Sequence, residues 1–245
     1  MKYKTIVFEK KGAVASLTLN RPKNDNAIDA VMCVEMTDAC RVIAQDKTIS
    51  VFVVRGSGAA FCTGSEPGIE ASDAIDAIAK LECVTIAAIN GDVFDEGLEL
   101  ALSCDIRIAS ERTRFALHHL SDGSMPSCGG TQRLPRLVGP GKAFEMILTS
   151  ETIDAAEAFR IGLVSKVVTH DELDRETFAL AERISKYGTI ALRFAKEAVN
   201  KGMDLTLAQG LRMEADLYFL IQTSADRMEG IKAFLEKREP GFRGE

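Results

Sequence analysis

The sequence lacks any apolar run of about 18 residues, the length that a membrane-spanning helix requires. It also lacks a CxxC pair, although it has six cysteines, at positions 33, 40, 62, 83, 104 and 128. Residues 1–11 place charges on both sides of a short apolar run, so the hydrophobic segment of a secretory signal is missing. We therefore expect a protein of the reduced cytoplasm without a membrane partner.

An excess of positive charge is missing as well. The formal net charge is −6 over 245 residues, which argues against a general binder of nucleic acid or of membrane surfaces. Local basic clusters remain able to hold a small phosphate-bearing ligand. With 46% hydrophobic and 27% charged residues, the chain is long enough to bury a full core as one large domain.

Hydrophobic periodicity predicts a first half of strands and helices. Residues 3–20 alternate as a hairpin with a turn at residues 10–12. Residues 51–54 and 84–89 are unbroken apolar runs rich in β-branched side chains, typical of strands covered on both faces. Helical stretches lie between and after them, so we expect an α/β fold. From about residue 140 onward helical spacing dominates.

One stretch, residues 84–105, joins a strand to a turn and to the start of a helix that contains Glu99. Four carboxylates crowd this helix start: Asp92, Asp95, Glu96 and Glu99. The helix dipole favours negative charge there by about 0.3–1 kcal/mol for each group, so their spacing alone fits a purely structural role. A catalytic role for Glu99 needs further support from the rest of the sequence.

That support comes from five blocks that resemble, in order, the crotonase or enoyl-CoA hydratase/isomerase superfamily. They are residues 20–28, 59–66, 84–105, 126–135 and 234–238. The resemblance covers almost the whole chain. It implies a crotonase-like spiral of ββα units over residues 1–190, which carries the active site, and a helical C-terminal trimerisation region over residues 191–245. It also implies a homotrimer or a dimer of trimers.

The resemblance implies an oxyanion hole, the pair of N–H donors that an enolate reaction of a thioester needs. Turns at strand ends and unpaired helix N–H groups supply such donors. By position they are the backbone amides of Ser65 and Glu96. The family usually has glycine at the second position, so Glu96 is a departure, and we expect its side chain to point away from the thioester.

The resemblance assigns acid/base chemistry to Glu99, whose pKa burial would raise. His119 stands where hydratases usually have a second Glu. An imidazolium of ordinary pKa near 6.5 suits protonation of the α-carbon while Glu99 delivers water to the β-carbon. Alternatively, His118 and His119 simply hydrogen-bond in a loop. Asp122 would orient His119 or act as a base, but an Asp before a glycine is also an ordinary turn residue.

Substrate contacts are likewise implied by the resemblance. In related proteins the matching loops hold adenine and pantetheine, which makes candidates of Asn24, Ala27, Ile28, Cys62, Thr63 and Glu66. A tail lysine of a neighbouring subunit approaches the phosphates there, and Lys237 matches it, with Phe234 in the same tail. Further basic candidates are Arg21, Lys23 and Arg238. Coenzyme A is part of the substrate, so we expect no separate cofactor and no metal.

These features predict an enoyl-CoA hydratase-like lyase that hydrates a 2-enoyl-CoA through an enolate. One alternative is another enolate reaction on an acyl-CoA, namely isomerisation, thioester hydrolysis or decarboxylation. A second alternative is a catalytically silent homologue that binds CoA esters, which the departures at Glu96 and His119 favour. The segment between residues 66 and 84 is shorter than typical for the family, so the acyl preference stays open.

Overall fold

The structure is a computed structural model that describes residues 3–242 and 244. Its strands are β1 Ile6–Lys11, β2 Val14–Leu19, β3 Val51–Gly56, β4 Val84–Ile89, β5 Val93–Phe94, β6 Ile106–Ser110, β7 Arg114–Ala116, β8 Ile153–Asp154 and β9 Lys166–Val168. Its α-helices are α1 Ala30–Gln45, α2 Ser72–Ala79, α3 Glu96–Ser103, α4 Gly130–Val138, α5 Pro140–Thr149, α6 Ala155–Arg160, α7 Leu173–Ile184, α8 Thr189–Gly202, α9 Leu207–Gln222 and α10 Ala225–Glu236.

The main sheet has the strand order β1-β2-β3-β4-β6-β9, and a smaller sheet has the order β5-β7-β8. Strands β1 and β2 pair antiparallel, which confirms the predicted hairpin. The other neighbours in the main sheet pair parallel. The predicted strands at residues 51–54 and 84–89 are confirmed as β3 and β4, at the centre of this sheet.

Two apolar layers cover the main sheet, and they explain the unbroken apolar runs. Phe52 and Val54 face the larger core, which also holds the buried faces of α1 and α2. Val51 and Val53 face a second core, closed by α7 through Leu173 and Ala181. Because successive strand residues point to opposite faces, a strand between two cores must be apolar at every position.

The C-terminal part of the chain is mostly helical, as predicted, but it also returns to the sheet. Residues 166–168 form β9 on the open edge of β6, too short a strand for its periodicity to indicate. Helices α8, α9 and α10 complete the chain. Among the described residues, no helix is both long and apolar enough to cross a bilayer. The predicted division at residue 190 lies next to the start of α8 and stays a prediction.

The active-site segments follow the ends of β3 and β4. Because these strands run parallel, their carboxyl ends meet at one edge of the sheet, and so do the loops that follow. The two loops are joined by hydrogen bonds from the Phe61 amide to the Asp92 carbonyl and from the Phe94 amide to the Cys62 carbonyl. At Gly97 a Cβ atom would lie 2.0 Å from the Cys62 carbonyl oxygen, so glycine is needed for this close approach.

Candidate active site

Glu99 lies one turn into α3 and is fully buried. Its Oε1 atom accepts hydrogen bonds from the amides of Cys128 (2.8 Å) and Gly130 (2.6 Å), at the start of α4. A Cβ atom at position 130 would lie 2.9 Å from that oxygen, so glycine lets α4 begin against the carboxylate. The two amides therefore fix the carboxylate and leave Oε2 as its free oxygen. Within residues 3–242 and 244, Oε2 has no hydrogen-bond partner.

Burial raises the pKa of Glu99, and the opposing hydrogen bonds from the Gly130 and Cys128 amides do not cancel this effect. The direction agrees with the expectation from the sequence. A carboxylate with a raised pKa is a stronger base than one at the surface, so the free oxygen is suited to accept a proton from water.

His119 begins a short 3-10 turn after β7, and only 7% of its side chain is exposed. Its Nε2 atom lies 3.7 Å from Glu99 Oε2 and 3.5 Å from Glu96 Oε1, while its Nδ1 atom lies 3.3 Å from Asp95 Oδ1. The imidazole thus faces three carboxylates. The structure brings together the two predicted catalytic residues, which the sequence separates by the end of α3 and by strands β6 and β7.

The pKa of His119 is raised, although burial alone would lower it. The contact with Glu96 and the negative charges of Asp95, Glu96 and Glu99 outweigh the loss of solvation. This arrangement favours imidazolium, the form that donates a proton. The His118 ring borders the cluster at Asp95, with Nδ1 3.6 Å from Asp95 Oδ2, and its Nε2 lies 3.4 Å from Thr152 Oγ1. The loop interpretation therefore fits His118, whereas His119 belongs to the carboxylate cluster.

Glu96 differs from the expectation that its side chain points away from the site. Its carboxylate faces His119, and 17% of the side chain is exposed. Burial raises the pKa of Glu96, but His119, its own backbone amide and the Ser65 hydroxyl together lower it. The carboxylate therefore lies between the two segments predicted to form the oxyanion hole. The imidazole ring attracts the carboxylate, and the direction of the side chain relative to a thioester stays a prediction.

Asp95 is a site residue that the sequence reasoning missed. It has φ +49° and ψ −123°, a conformation that costs a non-glycine residue on the order of 1–3 kcal/mol. Its carboxylate accepts the His118 amide hydrogen and approaches the His119 ring. Asp122 is exposed and accepts a hydrogen bond from Ser121, so it fits the turn interpretation instead. The crowding of carboxylates at the helix start was the available signal for Asp95.

The two predicted oxyanion donors lie on the segments that border this cluster. Ser65 pairs with Ile28 in an isolated parallel bridge. The bridge uses the amides of Ile28 and Glu66, which donate to the carbonyls of Gly64 and Ile28. The amide of Ser65 therefore lies outside the bridge. Glu96 is the first residue of α3, where a backbone N–H has no partner within the helix.

The two loops predicted to hold the CoA moiety are joined to each other. Besides the bridge at Ile28, the Thr63 amide donates to the Asp25 carbonyl, and within the first loop the Ala27 amide donates to the Asn24 carbonyl. Cys62 is fully buried, and its thiol contacts the Gly64 carbonyl. The predicted residues of both loops thus form one continuous rim. Their contact with CoA stays a prediction.

Arg21, predicted as a phosphate candidate, holds these loops together. Its guanidinium pairs with Glu66 and, at 3.1 Å, with Asp29, and it donates to the Ala27 carbonyl. Arg238 is likewise paired, with Glu229 and Glu236. Both guanidinium groups already have carboxylate partners. Phe234 and Lys237 lie at the end of α10, where Phe234 is 82% exposed, and their role in substrate binding stays a prediction.

Fold and site together define an α/β protein with a buried glutamate–histidine pair between two backbone segments that carry N–H donors. A family model described as enoyl-CoA hydratase/isomerase matches residues 9–245. The chain is 39% identical to a "Probable enoyl-CoA hydratase" of Rhizobium meliloti and 38% identical to a "Crotonyl-CoA hydratase" of Syntrophomonas wolfei, each over 99% of both chains. The chain belongs to the enoyl-CoA hydratase/isomerase family.

The similarity extends to solved structures. An enoyl-CoA hydratase from Bacillus anthracis superposes with a TM-score of 0.95 at 36% identity, covering 99% of this chain and 100% of that chain. Another from Geobacillus kaustophilus gives a TM-score of 0.93 at 35% identity, covering 100% of both chains. The predicted crotonase-like fold is confirmed, with its helical C-terminal region. Trimerisation stays a prediction.

Proposed function

We propose that this protein hydrates a 2-enoyl-CoA, using Glu99 as the base and His119 as the acid. The observation that carries the proposal is the buried contact of 3.7 Å between Glu99 Oε2 and His119 Nε2. The relatives named as enoyl-CoA and crotonyl-CoA hydratases support the same reaction. The pairing of a carboxylate with an imidazole replaces the two carboxylates that the family resemblance implies.

Glu99 Oε2 takes a proton from water while the water oxygen bonds to C3 of the enoyl group. Electron density moves through C2 to the thioester oxygen, and the amides of Ser65 and Glu96 stabilise the negative charge there. The imidazolium of His119 then donates its Nε2 proton to C2. The product has gained one water. The proton on Glu99 returns to His119 across their contact, which restores the starting state.

The Glu96 carboxylate sets a condition on this mechanism. It lies where the thioester oxygen must approach the amides of Ser65 and Glu96, so it must rotate towards solvent when substrate binds. This feature favours a second candidate function, a homologue that binds CoA esters without turning them over. The two candidate functions can be told apart by product formation: a hydratase forms product in a way that depends on Glu99, and a silent homologue forms none.

The test is incubation with short, branched, cyclic and aromatic enoyl-CoA esters, with products followed by mass spectrometry. Glu99→Gln is the matched control because it keeps the shape of the side chain and removes the base. A gain of one water that the variant loses supports hydration. If wild type and variant give equal turnover, Glu99 has no part in the mechanism. Tight acyl-CoA binding without any product favours the silent homologue.

We also propose a homotrimer or a dimer of trimers in the cytoplasm. Apolar side chains are strongly exposed along the C-terminal helices, with Leu207 80%, Phe219 69% and Leu235 74% exposed. Exposed apolar surface of this kind marks association sites. In a trimer, Lys237 would reach the CoA phosphates of a neighbouring copy. Size-exclusion chromatography with light scattering tests the state, and a monomeric mass at micromolar concentration would contradict it.

A further inference from the structure

Three potential metal ligands converge in the active-site cluster. A carboxylate oxygen of Glu96, a carboxylate oxygen of Glu99 and a ring nitrogen of His119 all lie within 4.8 Å of one another. Two ligands of one Zn²⁺ ion, each bound at about 2.0–2.2 Å, lie at most about 4.4 Å apart. The three atoms therefore span nearly the volume of a single coordination sphere, and small side-chain rotations bring them to bonding distance.

Two of the three ligand groups, Glu99 and His119, are buried and have unused bonding capacity. In the part of the chain that the structure describes, neither Glu99 Oε2 nor the ring nitrogens of His119 have a hydrogen-bond partner. Such groups in a protein interior cost about 1–3 kcal/mol each unless something binds them. Since Glu99 Oε1 is held by two amides, Oε2 remains as a fixed oxygen that points at Nε2 of the imidazole.

The charge of the cluster also favours a cation. His119 faces the carboxylates of Asp95, Glu96 and Glu99. Among the described residues, neither Glu96 nor Glu99 forms an ion pair with a lysine or an arginine. A single imidazolium cannot balance three carboxylates. A divalent ion would supply the missing positive charge at the buried face of Glu99 and His119.

We propose that Glu96, Glu99 and His119 bind one divalent transition-metal cation, with Zn²⁺ as the best match. Zinc accepts imidazole nitrogen and carboxylate oxygen together, in a compact sphere of about four ligands. Asp95 acts as a positioning residue. Its carboxylate lies 3.3 Å from His119 Nδ1, on the side of the ring away from the cation. A carboxylate behind a metal-binding histidine fixes the ring and strengthens its bond to the metal.

The cation binds the same two atoms, Glu99 Oε2 and His119 Nε2, that the proposed hydration requires. Binding of the ion itself does not rest on that proposed function. If the protein is a hydratase, Zn²⁺ inhibits it, and a chelator restores the rate. If it is not, the ion still binds. The two proposals can therefore fail separately.

The test is titration of chelator-stripped protein with ZnCl₂ in a calorimeter, with CoCl₂ as a spectroscopic probe of the ligand geometry. Cys33 is the most exposed of the six free cysteines, so the titration uses a Cys33→Ser background. We expect one ion for each chain. Glu96→Gln, Glu99→Gln and His119→Gln should each abolish that binding, and Asp95→Asn should weaken it by about 10- to 100-fold.

His118→Gln is the matched control, because it removes the adjacent imidazole that lies outside the set of ligands. It should bind zinc as the parent does, and circular dichroism should show that every variant is folded. Absence of stoichiometric binding in the parent would overturn the proposal. So would binding that survives in folded Glu96→Gln and Glu99→Gln. Hydration activity, measured separately in chelator, tests the other proposal.

Discussion

Replacing Glu96 by glycine should increase the hydration rate of this protein. Its carboxylate contacts the Ser65 hydroxyl and its own backbone amide, next to the two amides that we propose stabilise the negative thioester oxygen. Glu96→Gly removes that carboxylate and leaves the backbone amide, which is the donor that we propose for the reaction. It also supplies the residue that the family usually has at this position.

The size of the gain follows from what the carboxylate does before substrate binds. If it stayed in place, a second negative charge about 4 Å away would cost about 4 kcal/mol at an effective dielectric constant near 20. Rotating it towards solvent instead breaks its contacts with His119 and Ser65, each worth about 1.5–3 kcal/mol, so the two routes cost a similar amount. Recovering one such contact raises kcat/KM by about 10- to 100-fold, because 1.36 kcal/mol is a factor of ten.

The assay follows kcat/KM for crotonyl-CoA hydration at about pH 6 in the presence of a chelator. At that pH an imidazole of ordinary pKa, near 6.5, is mostly protonated, so loss of Glu96 does not remove the acid form of His119. Glu96→Gln separates the charge from the volume of the side chain. Asp92→Asn is the control for loss of a carboxylate from the same helix start, since Asp92 pairs with Arg114 instead.

We expect Glu96→Gly to exceed wild type, Glu96→Gln to lie between them, and Asp92→Asn to match wild type. A folded Glu96→Gly protein with an unchanged or lower kcat/KM would refute the reasoning. That result would mean that the carboxylate takes part in catalysis through its contact with His119, and that the substrate oxygen binds elsewhere.

Three further perturbations test the site and the fold. Glu99→Gln should lower turnover by roughly 100-fold or more with CoA-ester binding nearly intact, as kinetics and calorimetry would show; similar loss of binding would contradict a purely chemical role. The carboxylates next to His119 raise its pKa, so the hydration rate should fall on the alkaline side of the pH–rate profile, with a midpoint above about pH 6.5. His119→Ala should remove that alkaline limb. An unchanged profile would exclude His119 as the acid. Hydrogen bonds from Thr5 and from the Lys4 amide hold the pKa of Glu35 below its ordinary value despite burial. The ionised side chain therefore stabilises the fold at pH values above the ordinary pKa, and this stabilisation is lost as the pH falls through the lowered pKa. Glu35→Gln should lower the free energy of unfolding by about 1–3 kcal/mol at pH 7, measured by denaturant titration, whereas the exposed Glu9→Gln should not.

The sequence predicted the parts of the fold that local pattern determines. Strands β3 and β4 were predictable because a strand between two apolar layers must be apolar throughout. Strand β9 was not, because its three residues become a strand only by pairing with β6. Long-range pairing of this kind leaves no periodic signal in so short a segment.

The candidate site was likewise predictable from the sequence only in part. Glu99 and His119 were predictable from blocks of sequence in a fixed order, and their contact follows from the fold. The direction of the Glu96 side chain was not, because it depends on the backbone conformation of Asp95 and on a histidine 23 positions further along the chain. The pairing of Arg21 with Glu66 likewise joins loops that lie far apart in the sequence.

The bridge between Ile28 and Ser65 connects the loop predicted to bind the nucleotide end of the substrate with an amide predicted to act at the thioester. The hydrogen bonds on either side of Ser65 both end on Ile28, so the loop of residues 24–28 sets the position of the Ser65 amide. If that loop holds the nucleotide end of the substrate, recognition far from the double bond also aligns a donor at the thioester. A shortened thioester without the nucleotide would then react slowly even at saturation, because binding energy remote from the reacting atoms is used to order the catalytic groups.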